Sequence, residues 1–349
     1  MVNEAPALTP RRLGRGIIAH PLGVNCTTSG SEARAHTRAQ VENPSVRRAL
    51  RHAADLGATF LDTSDVHGGG HAERVLGRLL REYPDGRFQL GSKVGHLRGS
   101  APHPYAGRRI RHQLEQSLEN LQVERLDLYT LESFDFGPGD RYLGGAIDQL
   151  RTMRELGVVG AIGMRGPDSD GNASPERRDA LVRRFLFLFP LIRPDVVWMR
   201  FSALTPALSL AGEDVVSFTS RQGAGLVLAA PPAKHLLAAR TVAAPPSPSK
   251  RALRSPYTVS SSEPGRPQHH RSGGNPSTLT RLALRACVQR TEHSVVTCSF
   301  ATAAEVERLF TALSEPLTHA ELTTVEKLYA GARGGHRRDV HAADGPRQP

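Results

Sequence analysis

Four residues within ten positions carry the groups that could do proton chemistry: Asp62, Asp65, His67 and His71. They lie in Gly57-Ala-Thr-Phe-Leu-Asp62-Thr-Ser-Asp65-Val-His67-Gly-Gly-Gly-His71-Ala-Glu73. Two carboxylates and two imidazoles, interleaved with Gly68, Gly69 and Gly70, suit a site in which acids and bases hang from a loop on a rigid element. The plainer reading is a strand-to-helix turn, with Asp62 satisfied by backbone amides and the glycines making the bend. His71, just after the glycines, reads as a solvent-facing residue of a first helical turn rather than as a second acid.

Other strand ends supply partners. Ala58 to Leu61 is an apolar, β-prone run that Asp62 follows directly. Phe88 to Val94 reads as a strand presenting Ser92 and Lys93 at its end, and Arg125 to Leu131 as another, followed by Glu132. Val158 to Met164, Asp195 to Phe201, Gly225 to Ala230 and Ser294 to Cys298 continue the series, and a hairpin over Arg11–Gly23 leads into the first strand. Between them lie helical patterns at 46–56, 73–81, 109–121, 146–156, 174–188, 213–221, 277–288, 303–313 and 318–329. Strands alternating with helices imply an α/β fold with a parallel sheet. Eight of them close into a single (β/α)8 TIM barrel, whose site lies at the carboxyl ends of the strands. Asp62, Lys93 and Glu132 would then share one face.

Composition narrows the classes. The 349 residues could form one large domain or two smaller ones; hydrophobic residues make up 39%, and 25 prolines and 33 glycines leave room for long irregular segments. Most of the net charge of +11 falls on residues 1–20, 238–272 and 331–349. The folded part therefore offers no basic groove, and no specific nucleic-acid partner is expected. No apolar run of about 18 residues occurs, so no membrane span is expected. The absence of a signal-type leader points to the cytoplasm. Cys26, Cys287 and Cys298 have neither metal nor redox spacing, and no metal site is expected. Residues 238–276, rich in Pro, Ser, Ala and Arg, read as a flexible insertion within a barrel over 11–330, and 331–349 as a disordered tail. The oligomeric state is not legible.

Several of these stretches resemble the aldo-keto reductases: Gly57 to Thr63, Gly70-His-Ala-Glu73-Arg-Val-Leu-Gly77, Ser92-Lys93-Val-Gly, Ser117 to Tyr129, Leu156 to Gly163 and Gly225 to Ala229. The resemblance runs in order from about Arg11 to Leu328. It implies one (β/α)8 barrel that reduces carbonyls with NADPH, using an Asp, Tyr, Lys and His tetrad in which Tyr donates the proton and Lys lowers its pKa. Carried over by position, Asp62 and Lys93 match the Asp and Lys, His67 stands at the Tyr and Glu132 at the His. A Glu at that last position resembles the double-bond reductases of steroids within the family. An imidazole can itself donate a proton near neutral pH.

The implied cofactor positions also depart from the family. Arg165 and Gly166 stand at the Ser-Asn that holds the carboxamide, Trp198 at the neighbouring Gln, Ser202 just beyond it, and Ala230 at the stacking Tyr. Cys298-Ser299-Phe300 and Leu309 stand where the family binds the 2′-phosphate. Each residue has a structural reading beside the functional one. Glu132 could pair with Lys93 or Arg165, Trp198 could pack rather than stack, and Arg165 could anchor a substrate anion or form an ion pair. The functional expectation is an NADPH-dependent reductase of a carbonyl or conjugated double bond in a small molecule. The alternatives are a cofactor-independent isomerase, lyase or dehydratase built on Asp62, His67, Lys93 and Glu132, and a non-catalytic binding or regulatory protein.

Overall fold

The computed structural model describes residues 9–26, 44–66, 69–84, 86–168, 173–200, 208–229, 276–289 and 291–323. The insertion expected at 238–276, apart from Pro276, and the tail at 331–349 lie outside them, as do His67, Ser202 and Ala230.

A hairpin comes first, β1 (Arg11–Gly14) and β2 (Ile17–Ala19). Eight parallel strands follow: β3 (Leu22–Asn25), β4 (Phe60–Asp62), β5 (Gln89–Val94), β6 (Leu126–Leu131), β7 (Val159–Arg165), β8 (Val196–Arg200), β9 (Gly225–Ala229) and β10 (Ser294–Cys298). Each pairs with its neighbours in chain order, and β10 returns to β3 to close the barrel. The helices between them are α1 (Pro44–Asp55), α2 (His71–Leu80), α3 (Gly107–Leu121), α4 (Leu143–Glu155), α5 (Pro175–Ile192), α6 (Val215–Arg221), α7 (Pro276–Gln289) and α8 (Ala303–Ser314). Helix formation follows the apolar spacing. In α3, Ile110, Leu114 and Leu121 are buried against the sheet, with Gln113 and Ser117 on the same face.

Among the boundaries that differ from the expectation, two have their reasons in the backbone. Strand β4 begins at Phe60 rather than Ala58, because the amides of Gly57 and Ala58 still bond carbonyls of α1 at Ala54 and Ala53. Asp62 is the last residue of the strand, in register with Gly91, so the strand ends in a carboxylate as expected. Helix α2 starts at His71, since Gly70 adopts φ 79° and its amide bonds the Asp65 carbonyl, turning the chain two residues early. The last helical pattern, 318–329, is described only as far as Thr323.

The barrel interior explains why distant residues meet. One buried cluster joins Leu13, Ile17 and Ala19 of the hairpin to Phe60, Leu128, Ala161, Val196, Val227 and Val295. The hairpin thus plugs the amino-terminal end of the barrel. Contact is close enough that a Cβ on Gly225 would stand 1.3 Å from the Leu13 carbonyl oxygen. Side chains alternate along a strand, so the next inward positions toward the carboxyl end are Asp62, Thr130, Gly163, Trp198, Ala229 and Thr297. One step further, at the rim, come Glu132, Arg165 and Arg200. The carboxylate, lysine and indole of the mouth are therefore the roof of the same column whose lower layers are apolar.

Candidate active site at the carboxyl end of the barrel

Asp62 and Lys93 form a closed pair. Lys93 Nζ donates to Asp62 Oδ1 at 2.8 Å and to the Thr63 carbonyl at 2.7 Å, and both side chains are almost wholly buried. The ring of Trp198 covers the ammonium, its centroid 4.8 Å from Nζ. Trp198 Nε1 donates to the other carboxylate oxygen, Asp62 Oδ2, at 2.8 Å. Burial pushes the Asp62 carboxyl up, while the charge and hydrogen bond of Lys93 and the indole N–H pull it back. Trp198 is packed into the interior, as one of the two readings had it, yet its polar edge serves the carboxylate.

Glu132 sits beside this pair and not in it. Its carboxylate receives Ser64 Oγ at 3.4 Å and lies 3.6 Å from His96 Nε2. Among the described residues it forms no ion pair with Lys93 or with Arg165, the structural alternative for it, because each of those cations has its own acid. Arg165 donates through Nε to Asp168 Oδ1 at 2.7 Å, and its Nη1 reaches the Glu132 main-chain carbonyl at 3.4 Å. Arg200 donates Nε to Asp168 Oδ2 at 3.1 Å. Two guanidinium groups share one buried carboxylate, and the Arg200 side chain remains 59% exposed.

Behind the mouth lies a second polar layer. Gln113 of α3 donates to Asp65, and burial with the neighbouring Glu73 and Glu132 charges pushes the Asp65 carboxyl up to about 8. Glu73, fully buried in the first turn of α2, accepts Ser92 Oγ at 2.8 Å and Asn120 Nδ2 at 3.0 Å. His71 corrects an expectation: it is half-buried, and its Nε2 is buried without a partner among the described residues. The cause is the docking of α2 on α3, where Gly70 abuts the Asn120 side chain. Burial, and then the Asp62 charge, pushes the Cys26 thiol up to about 12, which disfavours its thiolate.

Tyr105 was not singled out by the sequence reading, yet it shapes the rim. Its fully buried hydroxyl accepts the Ser133 amide at 2.7 Å and lies within donating reach of the Ser133 carbonyl (3.0 Å) and the Val94 carbonyl (3.3 Å). Burial pushes this phenol upward, and its hydrogen bonds brace Val94 against Ser133. Asp168 and His96 were missed as well. His96, three residues past Lys93 on the same strand exit, carried a readable signal; Asp168 and Tyr105 stand in loops whose paths no pattern specifies.

A closed barrel of eight parallel strands, with ionisable side chains gathered at their carboxyl ends, defines a (β/α)8 barrel with a strand-end site. The chain belongs to the aldo/keto reductase family, whose model matches residues 28–330. L-galactose dehydrogenase from Arabidopsis thaliana is 25% identical over 271 residues, covering 76% of this chain and 77% of that protein. D-threo-aldose 1-dehydrogenase from a Pseudomonas species is 26% identical over 183 residues, 46% of this chain and 54% of that protein. Among solved structures, an aldo-keto reductase from Bacillus halodurans in its holo form matches with a TM-score of 0.59 at 19% identity, over 92% of this chain and 96% of that one. An aldo/keto reductase from Klebsiella pneumoniae in complex with NADP and acetate matches with 0.59 at 19%, over 92% and 95%. At that identity the structures speak for the fold alone. Among the described residues no helix is long and apolar enough to cross a membrane.

Proposed function

We propose that this protein is a nicotinamide-dependent oxidoreductase that uses NADPH to reduce a carbonyl or a conjugated double bond in a small molecule. The observation that carries the reading is the buried Asp62–Lys93 pair at the exits of neighbouring strands β4 and β5, with Glu132 at the next exit. Support comes also from family membership, from the NADP bound by the Klebsiella pneumoniae relative, and from two relatives named as sugar dehydrogenases. Those names favour a small polyhydroxylated carbonyl compound as substrate.

The donor set at the mouth fits a dinucleotide through charge. Arg165 and Arg200 together exceed Asp168 by one positive charge, and that excess sits on the exposed guanidinium of Arg200. A phosphate is the group such a donor suits. Arg200 would hold a phosphate, and Trp198 would floor the site beneath the nicotinamide. When bound, the cofactor supplies the hydride.

The chain's own residues do the rest. Glu132 would deliver a proton to the substrate oxygen as negative charge develops there. Two of the three Lys93 donors are engaged by Asp62 and Thr63 and the Trp198 ring covers the ammonium, so Lys93 acts through its field rather than by touching substrate. Trp198 keeps water from the pair. His67, at the family's Tyr position in the sequence, joins the proposal as a second acid. The test is loss of NADPH absorbance with a panel of aldoses, aldehydes, diketones and enones. Turnover that falls at least about 100-fold in Glu132→Gln supports the reading. Turnover unaffected by that substitution, or absent across the panel, contradicts it.

A further inference from the structure

We infer that His96 is a proton shuttle linking Glu132 with solvent, a role that rests on the acid function proposed for Glu132. The two groups differ in access: the Glu132 side chain is 13% exposed and the His96 side chain 41%. An acid that gives up its proton in a nearly closed site needs a route for its replacement. His96 Nε2, 3.6 Å from Glu132 Oε2, stands on that route. A small rotation of either side chain, or one water between them, completes the contact; such hydrogen bonds are often long before a substrate closes the site.

The pairing is built into the backbone. The Glu132 amide bonds the Val94 carbonyl at 2.9 Å, and Val94 lies two residues before His96. The Tyr105 hydroxyl spans the same gap from below, between Val94 and Ser133, the residue after Glu132. Gly95, with φ 135°, passes so close to that hydroxyl that a Cβ there would stand 2.3 Å from it. The loop carrying His96 is thereby fixed against the strand exit carrying Glu132. Two imidazole nitrogens make the transfer possible. A proton taken from solvent at Nδ1 makes the imidazolium, the Nε2 proton passes to the Glu132 carboxylate, and the ring returns to neutral. Exchange with solvent then resets its tautomer. Charge and protons balance, since each proton delivered to substrate is replaced by one from water or buffer.

Two measurements on the full chain decide it. The first needs no turnover: ring 15N resonances of His96 are compared in the wild type and Glu132→Gln, with His52, which pairs with Glu307, as control. The inference expects His96 to shift in Glu132→Gln and in Tyr105→Phe while His52 stays put. An unmoved His96 overturns it. The second follows NADPH oxidation with phenanthrenequinone as the carbonyl probe. His96→Ala should lose about 10-fold or more in kcat, and 4-methylimidazole in solution should restore the rate in His96→Ala but not in Glu132→Gln. Full activity of His96→Ala, or a loss that the free imidazole leaves unchanged, overturns the shuttle. Should the wild type bind no NADPH, the oxidoreductase reading fails and the shuttle falls with it; a His96 that still shifts in the resonance experiment then marks a structural contact alone.

Discussion

Trp198 and Asp62, 136 residues apart in the chain, meet across the barrel mouth through an Nε1–H···Oδ2 bond of 2.8 Å. The indole satisfies one oxygen of a buried carboxylate whose other oxygen is held by Lys93. Trp198→Phe keeps the ring over Lys93 but leaves that oxygen without its donor. We expect it to cost about 1–3 kcal/mol of stability, read as a lower urea midpoint at an unchanged m-value. An unshifted midpoint would mean that the bond contributes nothing.

The Asp62–Lys93 pair should behave as one unit. Lys93→Met leaves a buried carboxylate with only the indole and should cost about 3–5 kcal/mol. Asp62→Asn strands the ammonium at a similar cost. The double substitution should lose clearly less than the sum of the two, because neither charge remains uncompensated. Additive losses in denaturant titrations would contradict a directly coupled pair.

Asp65 makes the protein's stability depend on pH in a definite direction. Its carboxyl rises from an ordinary 3.8 to about 8 on folding, chiefly by burial and then by the charges of Glu73 and Glu132. The folded state therefore holds a proton that the unfolded chain releases. This contribution is fully present below about 4 and is lost as pH rises toward about 8, a span on the order of 5 kcal/mol before local relaxation. Asp65→Asn can keep the contact with Gln113 and carries no charge. Its stability, measured against the wild type at pH 5 and pH 8, should gain on the wild type at the higher pH. Parallel pH profiles would show that Asp65 is ionised in the fold.

Arg200 should matter for binding and little for stability. Its side chain is more than half exposed, and Asp168 keeps Arg165 when it is removed. Arg200→Gln should weaken NADPH binding about 10-fold, with the difference shrinking as salt is added. Its thermal midpoint should stay within a degree or two of the wild type, as for other surface changes. Equal affinities would put the phosphates elsewhere.

The sequence carried the barrel because short apolar runs, buried on both faces, alternate through the chain with helices of period 3.6, and each strand exit can be read in isolation. Asp62, Lys93, Glu132 and Arg165 were placed at strand exits in that way. Their partners were not. The Trp198–Asp62 bond depends on the closure of eight strands, and the division of cations between Asp62 and Asp168 depends on loops between β7 and α5. The start of β4 was misjudged by two residues because the amides of Gly57 and Ala58 end a helix, a competition that local β propensity does not record. The inward turn of His71 came likewise from the docking of α2 on α3.

A nicotinamide dinucleotide held over the Asp62–Lys93–Trp198 floor would have a built-in reporter, since Trp198 is the single tryptophan of the chain. Titrating the protein with NADPH while following indole emission should give saturable quenching, lost in Trp198→Phe and weakened in Arg200→Gln, with NADH producing no comparable response. Emission that stays unchanged up to millimolar NADPH would contradict the claim.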